Sequence, residues 1–335
     1  MAAIPPQLIG ESPEFLALLD WVSDVASLNG PVLIIGERGT GKELIASRLH
    51  FLSPRWEQAY RYVNCAAYDR DTFEWIIYGG EGLEPILADV NGGTLILDNV
   101  DALAKTSQAR LVRVMEYNEF DSLDGQGARS VDIRFIASTC SDPVKVVADG
   151  RISADFLDGA AVNTVHLPPL RVRKDDIVPL TVHFGRKTVS TLGAEHFPGF
   201  TPEATGTLLS HDWPGNIREL KNTVDRSVAR AFLADENLIQ PVGQVIFDVL
   251  TSPWVDVQSS APSPAGTITA LEQPQPDNTN EPETTDFTAR VMAFERTLID
   301  QALNSHNHHQ GRAAENLGLS YHQFRGLLRK HGLKK

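Results

Sequence analysis

The chain has 335 residues, 42% of them hydrophobic and 22% charged, enough for about two to three domains with buried cores at roughly 100–200 residues each. No window approaches the roughly 18 apolar residues of a membrane span, and the start lacks the basic and apolar stretches of a signal peptide. Two cysteines, Cys65 and Cys140, are too few for a disulfide scaffold or a cysteine zinc site, so a cytoplasmic protein is expected.

From about Leu8 to Gln240 apolar runs alternate with helical stretches, the pattern of an α/β fold. Residues 31–35 predict a buried strand that ends in glycines, and 42–52 a helix. Residues 93–98 show no polar alternation and predict a strand covered on both faces. A helix over 106–117 places Leu111, Val114 and Met115 on one face, and strands follow over 133–138 and 162–167. Three helices are predicted next, over 174–192, 201–211 and 216–234, with Asp175 and Asp176 capping and charging the start of the first. Residues 241–286 hold seven acidic residues, seven prolines and no Lys or Arg, and read as a disordered linker in which only 245–250 has a pattern to order. A helix over 287–303 and two short ones complete the chain.

Gly36, Glu37, Arg38, Gly39, Thr40, Gly41 and Lys42 have the spacing GxxxxGK, directly after a strand and before a helix. Glycines let backbone amides face phosphate oxygens, the helix N-terminus adds a favourable dipole, and Lys42 reaches the outer phosphates. Glu43 stands where the pattern usually has a magnesium-binding Ser or Thr. The second strand ends in Asp98, a candidate magnesium carboxylate, the alternative being a helix N-cap. Its neighbour is Asn99, where hydrolysis wants a glutamate; an amide cannot accept a proton from water.

The net charge of −13 conceals a basic end: residues 306–335 carry six Lys or Arg against one Glu. There 310–317 reads as a helix, Gly318 as a turn and Ser320 as the cap of a helix over 321–330 that buries Phe324, Leu327 and Leu328. Tyr321, His322, Gln323 and Arg325 are the candidates to read base edges, and Arg312, Arg329 and Lys330 to contact DNA phosphates. The alternative is a basic helical hairpin that packs on a protein. In the preceding helix Phe287, Val291, Phe294, Leu298 and Leu303 recur at near-helical spacing, and His306, His308 and His309 read as solvated rather than metal-bound.

Together these residues resemble the bacterial enhancer-binding proteins, AAA+ activators of sigma-54 RNA polymerase, most nearly the phage-shock type that lacks an N-terminal sensory domain. The signatures are Leu8 to Ser12, Gly36 to Glu43, Val63 to Ala67, Gly92 to Asp98, Leu167 to Arg173 and Trp213 to Leu220. The resemblance implies an AAA+ P-loop parallel sheet over residues 1–172, a helical lid over 173–240, the linker over 241–286 and a Fis-type helix-turn-helix over 287–335. It implies ATP as cofactor, with Mg2+ held weakly through Asp98 and with Arg218 at the lid's nucleotide-sensing position. It also implies a palindromic double-stranded DNA site, self or paralogous AAA+ subunits, sigma-54 RNA polymerase, and a phage-shock-type inhibitory protein for which Trp56 is a candidate anchor.

Departures from the family pattern gather in the parts that move or catalyse. The segment from Tyr78 to Leu87 is short and lacks the GAFTGA motif that contacts sigma-54. Asn99 replaces the glutamate that partners Asn64, Cys140 stands at the sensor-I asparagine, and Ser153 and Gly159 stand at the two arginine fingers, with Arg151 as an alternative by register shift. The expectation is a DNA-binding regulator that binds ATP and hydrolyses it poorly or not at all. The alternatives are an active ATPase at phage-shock-type promoters and a nucleotide-binding adaptor whose tail docks protein.

Overall fold

The computed structural model describes residues 7–80, 82–123, 125, 127–236, 238–247, 287–306, 309–317, 319 and 321–331, with backbone only at 287–294, 304, 315, 322 and 323. They fall into two units, 1–256 and 257–335, each with its own core.

Helix α1 (Pro13–Ala26) starts on Ser12, whose Oγ accepts from the Phe15 amide at 3.3 Å, with Pro13 at the first helical position. Then come β1 (Val32–Ile35), α2 (Lys42–Phe51), β2 (Tyr60–Asn64), a 3₁₀ turn at Cys65–Ala67, α3 (Arg70–Tyr78), α4 (Ile86–Asp89) and β3 (Thr94–Asp98). Helix α5 (Lys105–Tyr117) leads into a hairpin of β4 (Glu119–Asp121) and β5 (Ala128–Ser130), followed by β6 (Arg134–Thr139), α6 (Pro143–Ala148), α7 (Ala154–Ala160) and β7 (Asn163–His166). Five strands form a parallel sheet in the order β2-β3-β6-β1-β7. Alternate residues bury against opposite layers: Leu33, Leu95, Leu97, Phe135 and Ala137 on one side, Val32, Ile34, Ile96, Ile136 and Val165 on the other. Both faces are covered, as parallel sheets require.

Arg134 begins the central strand β6 yet is 1% exposed. Its Nη1 donates to the carbonyls of Ala26 (3.0 Å) and Leu49 (3.4 Å), and its Nη2 to that of Val25 (2.9 Å), so one guanidinium satisfies the C-terminal ends of α1 and α2. Burial, then the Arg55 charge, lowers its pKa to about 10. Arg134→Met is expected to lose about 2–4 kcal/mol of stability, because charge-assisted bonds disappear and buried carbonyls are left unpaired. A urea titration followed by far-UV circular dichroism checks it; an unchanged midpoint would refute the capping role.

The lid comprises α8 (Ile177–Leu192), α9 (Pro202–Ser210) and α10 (Asn216–Ala234) around the fully buried Trp213, with Leu170, Ile177, Leu180, Leu220 and Val224. The chain stays on the lid past Pro241. Val242 pairs with Phe200, Arg226 Nη2 donates to the carbonyls of Ile246 (3.2 Å) and Phe247 (3.0 Å), and the Phe247 ring stacks on His211 at 4.5 Å. Residues 248–286, where the rest of the expected linker falls, lie outside the described residues.

Asp176 does not serve as the expected helix cap. It makes no side-chain bond to α8; instead it is fully buried and accepts from the amides of Glu11 and Ser12 and from the Ser12 hydroxyl.

In the second unit α11 (Phe287–Ser305), α12 (Gln310–Asn316) and α13 (Tyr321–Lys330) enclose a small core of Ile299, Ala302, Leu303, Ala313, Ala314, Phe324 and Leu328. The inward stripe of α11 runs through Ile299 rather than Leu298, which is exposed; the side chains of Phe287, Val291 and Phe294 lie outside the described residues.

Candidate functional site

The P-loop joins β1 to α2 and takes the shape its glycines permit. Gly39 and Gly41 have φ of +82° and +98°, in the left-handed region. A Cβ at Gly39 would stand 2.2 Å from the Gly215 carbonyl oxygen, so the lid approaches the loop backbone more closely than any side chain allows. Gly36 anchors the loop by donating its amide to the Thr139 carbonyl (3.3 Å) at the end of β6. The Lys42 ammonium folds over the loop and donates to the carbonyls of Gly36 (2.8 Å) and Glu37 (3.1 Å). Burial pulls its pKa below the usual lysine range, opposed by Cys140, Asp98 and Asp101.

A clamp that spacing arguments missed fastens this loop to the lid. Glu37 accepts both guanidinium nitrogens of Arg171 (2.8 and 2.5 Å) and the Asn216 amide (3.1 Å), and this pairing with Arg171 holds its carboxyl below the usual glutamate range. Asn216 also donates to the Arg38 carbonyl (3.1 Å) and accepts the Leu170 amide (2.8 Å). Arg218 donates its backbone amide to the Gly39 carbonyl at 3.3 Å, which sets it beside the loop, and Arg173 Nη2 reaches the Thr40 carbonyl at 3.2 Å. Beside Thr40 and Gly41 a cleft opens, lined by Leu8, Ile9, Leu44 and Ile217. Its apolar lining suits a flat heterocycle next to a phosphate-binding loop.

Asp98 ends β3 on the same side of the sheet, and Tyr62 and Asn64 share one face of the neighbouring β2. Its Oδ2 accepts the Tyr62 hydroxyl (2.7 Å) and the Asn99 amide (2.8 Å), and its Oδ1 accepts the Ser138 hydroxyl. Asn99 sits at φ 57°, a conformation asparagine tolerates, and also donates to Asn64 Oδ1 at 3.2 Å. Asn64 thus meets an amide where the expected switch would give it a carboxylate. Glu43 opens α2 at the position next to Lys42. Glu at this position is usual in the family the chain resembles; it is Asp98, receiving three donors of its own chain, that makes the residues present fit a Mg2+ ion poorly.

Asp101 follows Asn99 in the turn after β3. It accepts the hydroxyls of Thr139 (3.1 Å) and Ser141 (3.3 Å) and pairs with Arg151 of the same chain. Gln108 holds this segment by donating to the Arg151 carbonyl (2.7 Å) and accepting the Ser153 amide (2.8 Å). Ser153 caps α7, and Gly159 lies within it, so both finger positions are helical scaffold. Cys140 is exposed. The segment after α3 closes on itself through a bridge between Gly80 and Leu83; Glu84 pairs with Arg129 of the hairpin at 3.3 Å.

On α13, Tyr321, Arg325, Arg329 and Lys330 are exposed, while Phe324 and Leu328 face the core; the side chains of His322 and Gln323 lie outside the described residues. Lys330 pairs with Glu295 (2.7 Å), which His331 also contacts at 2.9 Å. His309 accepts the Arg312 amide at 3.3 Å at the start of α12. Trp56 is 51% exposed on the turn after α2.

Three family models match the chain in order. A "Sigma-54 interaction domain" covers residues 8–166, an "AAA+ ATPase lid domain" 171–242, and "Bacterial regulatory protein, Fis family" 291–331. The chain is similar to the Psp operon transcriptional activator of Escherichia coli (strain K12), with 39% identity over 99% of each chain. It is also 37% identical to the transcriptional regulatory protein ZraR of Klebsiella oxytoca, over 66% of this chain and 52% of that one. Among solved structures, NtrX from Brucella abortus in complex with ATP is similar at a TM-score of 0.67 and 25% identity, covering 97% of this chain and 70% of that one.

Proposed function

Since the chain belongs to the sigma-54-dependent AAA+ transcriptional activators with a Fis-type DNA-binding domain, we propose that it is a DNA-bound regulator whose AAA+ body grips ATP and hydrolyses it poorly or not at all. The observation that carries this reading is Asn99. Its amide nitrogen, a donor only, is spent on Asp98 and Asn64 where a water-polarising carboxylate is needed. Two further facts support it. Both finger positions lack a guanidinium, and the nearest arginine, Arg151, is paired to Asp101 within its own subunit. Arginine fingers contribute roughly 10³–10⁵ in rate to phosphoryl transfer.

ATP binds in this reading through the amides of Gly36 to Lys42, the Lys42 ammonium and Arg218, with the base in the cleft beside Gly41. The NtrX complex with ATP supports the choice of nucleotide. Bound nucleotide sets the lid through the Glu37–Arg171–Asn216 clamp and so favours assembly with copies of itself or with a paralogous AAA+ subunit. Titration of ATP and measurement of phosphate release on one purified sample test the proposal. Saturable binding without turnover is expected; magnesium-dependent turnover at the rate of a finger-bearing relative would overturn it. The rival, an active ATPase at phage-shock-type promoters, draws on the 39% identity across both full lengths, and the same measurement separates the two.

The second unit is proposed to read a palindromic site on double-stranded DNA through Tyr321, His322, Gln323 and Arg325, with Arg312, Arg329 and Lys330 on the backbone. Arg325→Ala should cost about 1–3 kcal/mol at one base position and relax preference there, whereas Arg329→Ala should weaken binding uniformly and reduce the salt slope by about 1. Gel shifts of the full chain across salt concentrations distinguish them, and unchanged preference in Arg325→Ala would count against base reading. Exposed Trp56 is the proposed anchor for an inhibitory protein of the phage-shock type.

A further inference from the structure

Tyr62 projects from β2 across the sheet edge and gives its hydroxyl to Asp98 Oδ2 at 2.7 Å. The Asn99 amide joins it on the same oxygen at 2.8 Å, and Ser138 holds the other. A carboxylate offers about four acceptor directions, so three neutral donors of the chain leave roughly one open. The Tyr62 hydroxyl thus stands on Asp98 Oδ2 where a Mg2+ ion with its ordered waters would have to present its own donor. That ion demands near-octahedral oxygen ligands, and three donors of the chain already occupy the Asp98 carboxylate it would use.

We propose that Tyr62 and Asn99 cap the Asp98 carboxylate in place of metal-bound water, making this P-loop a receptor for metal-free nucleoside triphosphate. The inference rests on the nucleotide binding proposed above and specifies its ionic form. The charge of the triphosphate is then met by the chain itself, through Lys42, Arg38, Arg218 and the loop amides. Tyr62 acts through Asp98 and is a positioning residue. Its exposure, 38%, leaves it free to swing away only if the Asp98 bond is given up.

The full-length protein is titrated with ATP in excess Mg2+ and again in EDTA, and Mn2+ binding in the presence of ATP is followed by electron paramagnetic resonance. Wild-type affinity should change by less than about threefold between the two buffers, and Mn2+ should stay free. Tyr62→Phe keeps the ring and removes the donor; it should gain metal-dependent affinity and retain Mn2+, by about tenfold or more, the range by which outer-shell partners tune metal sites. A wild-type protein that already retains Mn2+ with ATP, or binds about tenfold tighter in Mg2+, overturns the inference and leaves nucleotide binding standing. Absence of ATP binding in both buffers overturns the nucleotide reading itself. A Tyr62→Phe chain with wild-type melting and no gain in metal dependence also overturns the inference.

Discussion

A chain carrying Asn99→Glu, Ser153→Arg and Gly159→Arg together is expected to hydrolyse ATP at least about 10³-fold faster than the wild type, while each single change leaves turnover near background. Groups that act as a unit are not additive: a water-polarising carboxylate without fingers, or fingers without the carboxylate, completes nothing. The fold admits the changes. A Cβ at Gly159 meets only Met115 Sδ at 3.8 Å, an ordinary contact. Ser153 gives up the bond its Oγ accepts from Phe156 N, which costs about 1 kcal/mol of helix α7. Glu at 99 must adopt the left-handed conformation that Asn99 holds at φ 57° or shift the turn, a penalty of about 1–2 kcal/mol. The triple variant is assayed for phosphate release both alone and with Tyr62→Phe, so that a capped Asp98 does not mask the gain. A folded, ATP-binding variant that stays at background in both backgrounds would show that the missing groups are not what limits hydrolysis. Restored hydrolysis should not restore open-complex formation by sigma-54 polymerase, because the segment between Tyr78 and Leu87 is closed by the Gly80–Leu83 bridge and holds no GAFTGA motif.

Continuous apolar runs made β1, β3 and β6 legible, because central parallel strands are buried on both faces and carry no competing pattern. The edge strand β2 was not, since Val63 alone of its five residues is fully buried and Arg61 and Tyr62 are exposed. The P-loop could be read from spacing, for its chemistry is local. The Glu37–Arg171–Asn216 clamp could not, for Glu37 lies more than a hundred residues from both its partners and meets them only where the lid closes over the loop. Tyr62 escaped for the same reason: nothing in sequence says that β2 lies beside β3 in the register that sets Asn64 against Asp98. In α11 the apolar spacing marked the helix but not which side faces the core: Ile299 and Leu303 are buried and Leu298 is exposed, and apolar residues on adjacent positions do not separate those faces until α12 and α13 dock.

Asp176→Ala is expected to lose about 3–5 kcal/mol of stability, the size found when one partner of a buried ion pair is removed. The carboxylate is fully buried and joins three parts of the first unit. Its Oδ1 accepts the Glu11 and Ser12 amides at 2.6 and 2.7 Å, its Oδ2 accepts the Ser12 hydroxyl at 2.8 Å, and Arg173 Nη1 lies 3.8 Å away. Arg173 in turn stands over the Phe15 ring at 4.8 Å and holds the Thr40 carbonyl of the P-loop. Gly10 is the residue that lets the chain pass, since a Cβ there would sit 2.3 Å from the Phe15 ring and 2.9 Å from Asp176 Oδ2. Alanine leaves Arg173 as a buried charge without a counterion, and burial already lowers its pKa. Urea denaturation of Asp176→Ala, Arg173→Met and the double variant measures the coupling. The double variant should be less destabilised than the sum of the singles by about 1–3 kcal/mol, because the second change removes the stranded charge. Simple additivity would mean that Asp176 serves only the Glu11 and Ser12 amides. Weaker ATP binding in Arg173→Met, with Asp176 intact, would locate the link to the phosphate loop at the Thr40 carbonyl rather than at the N-terminal segment.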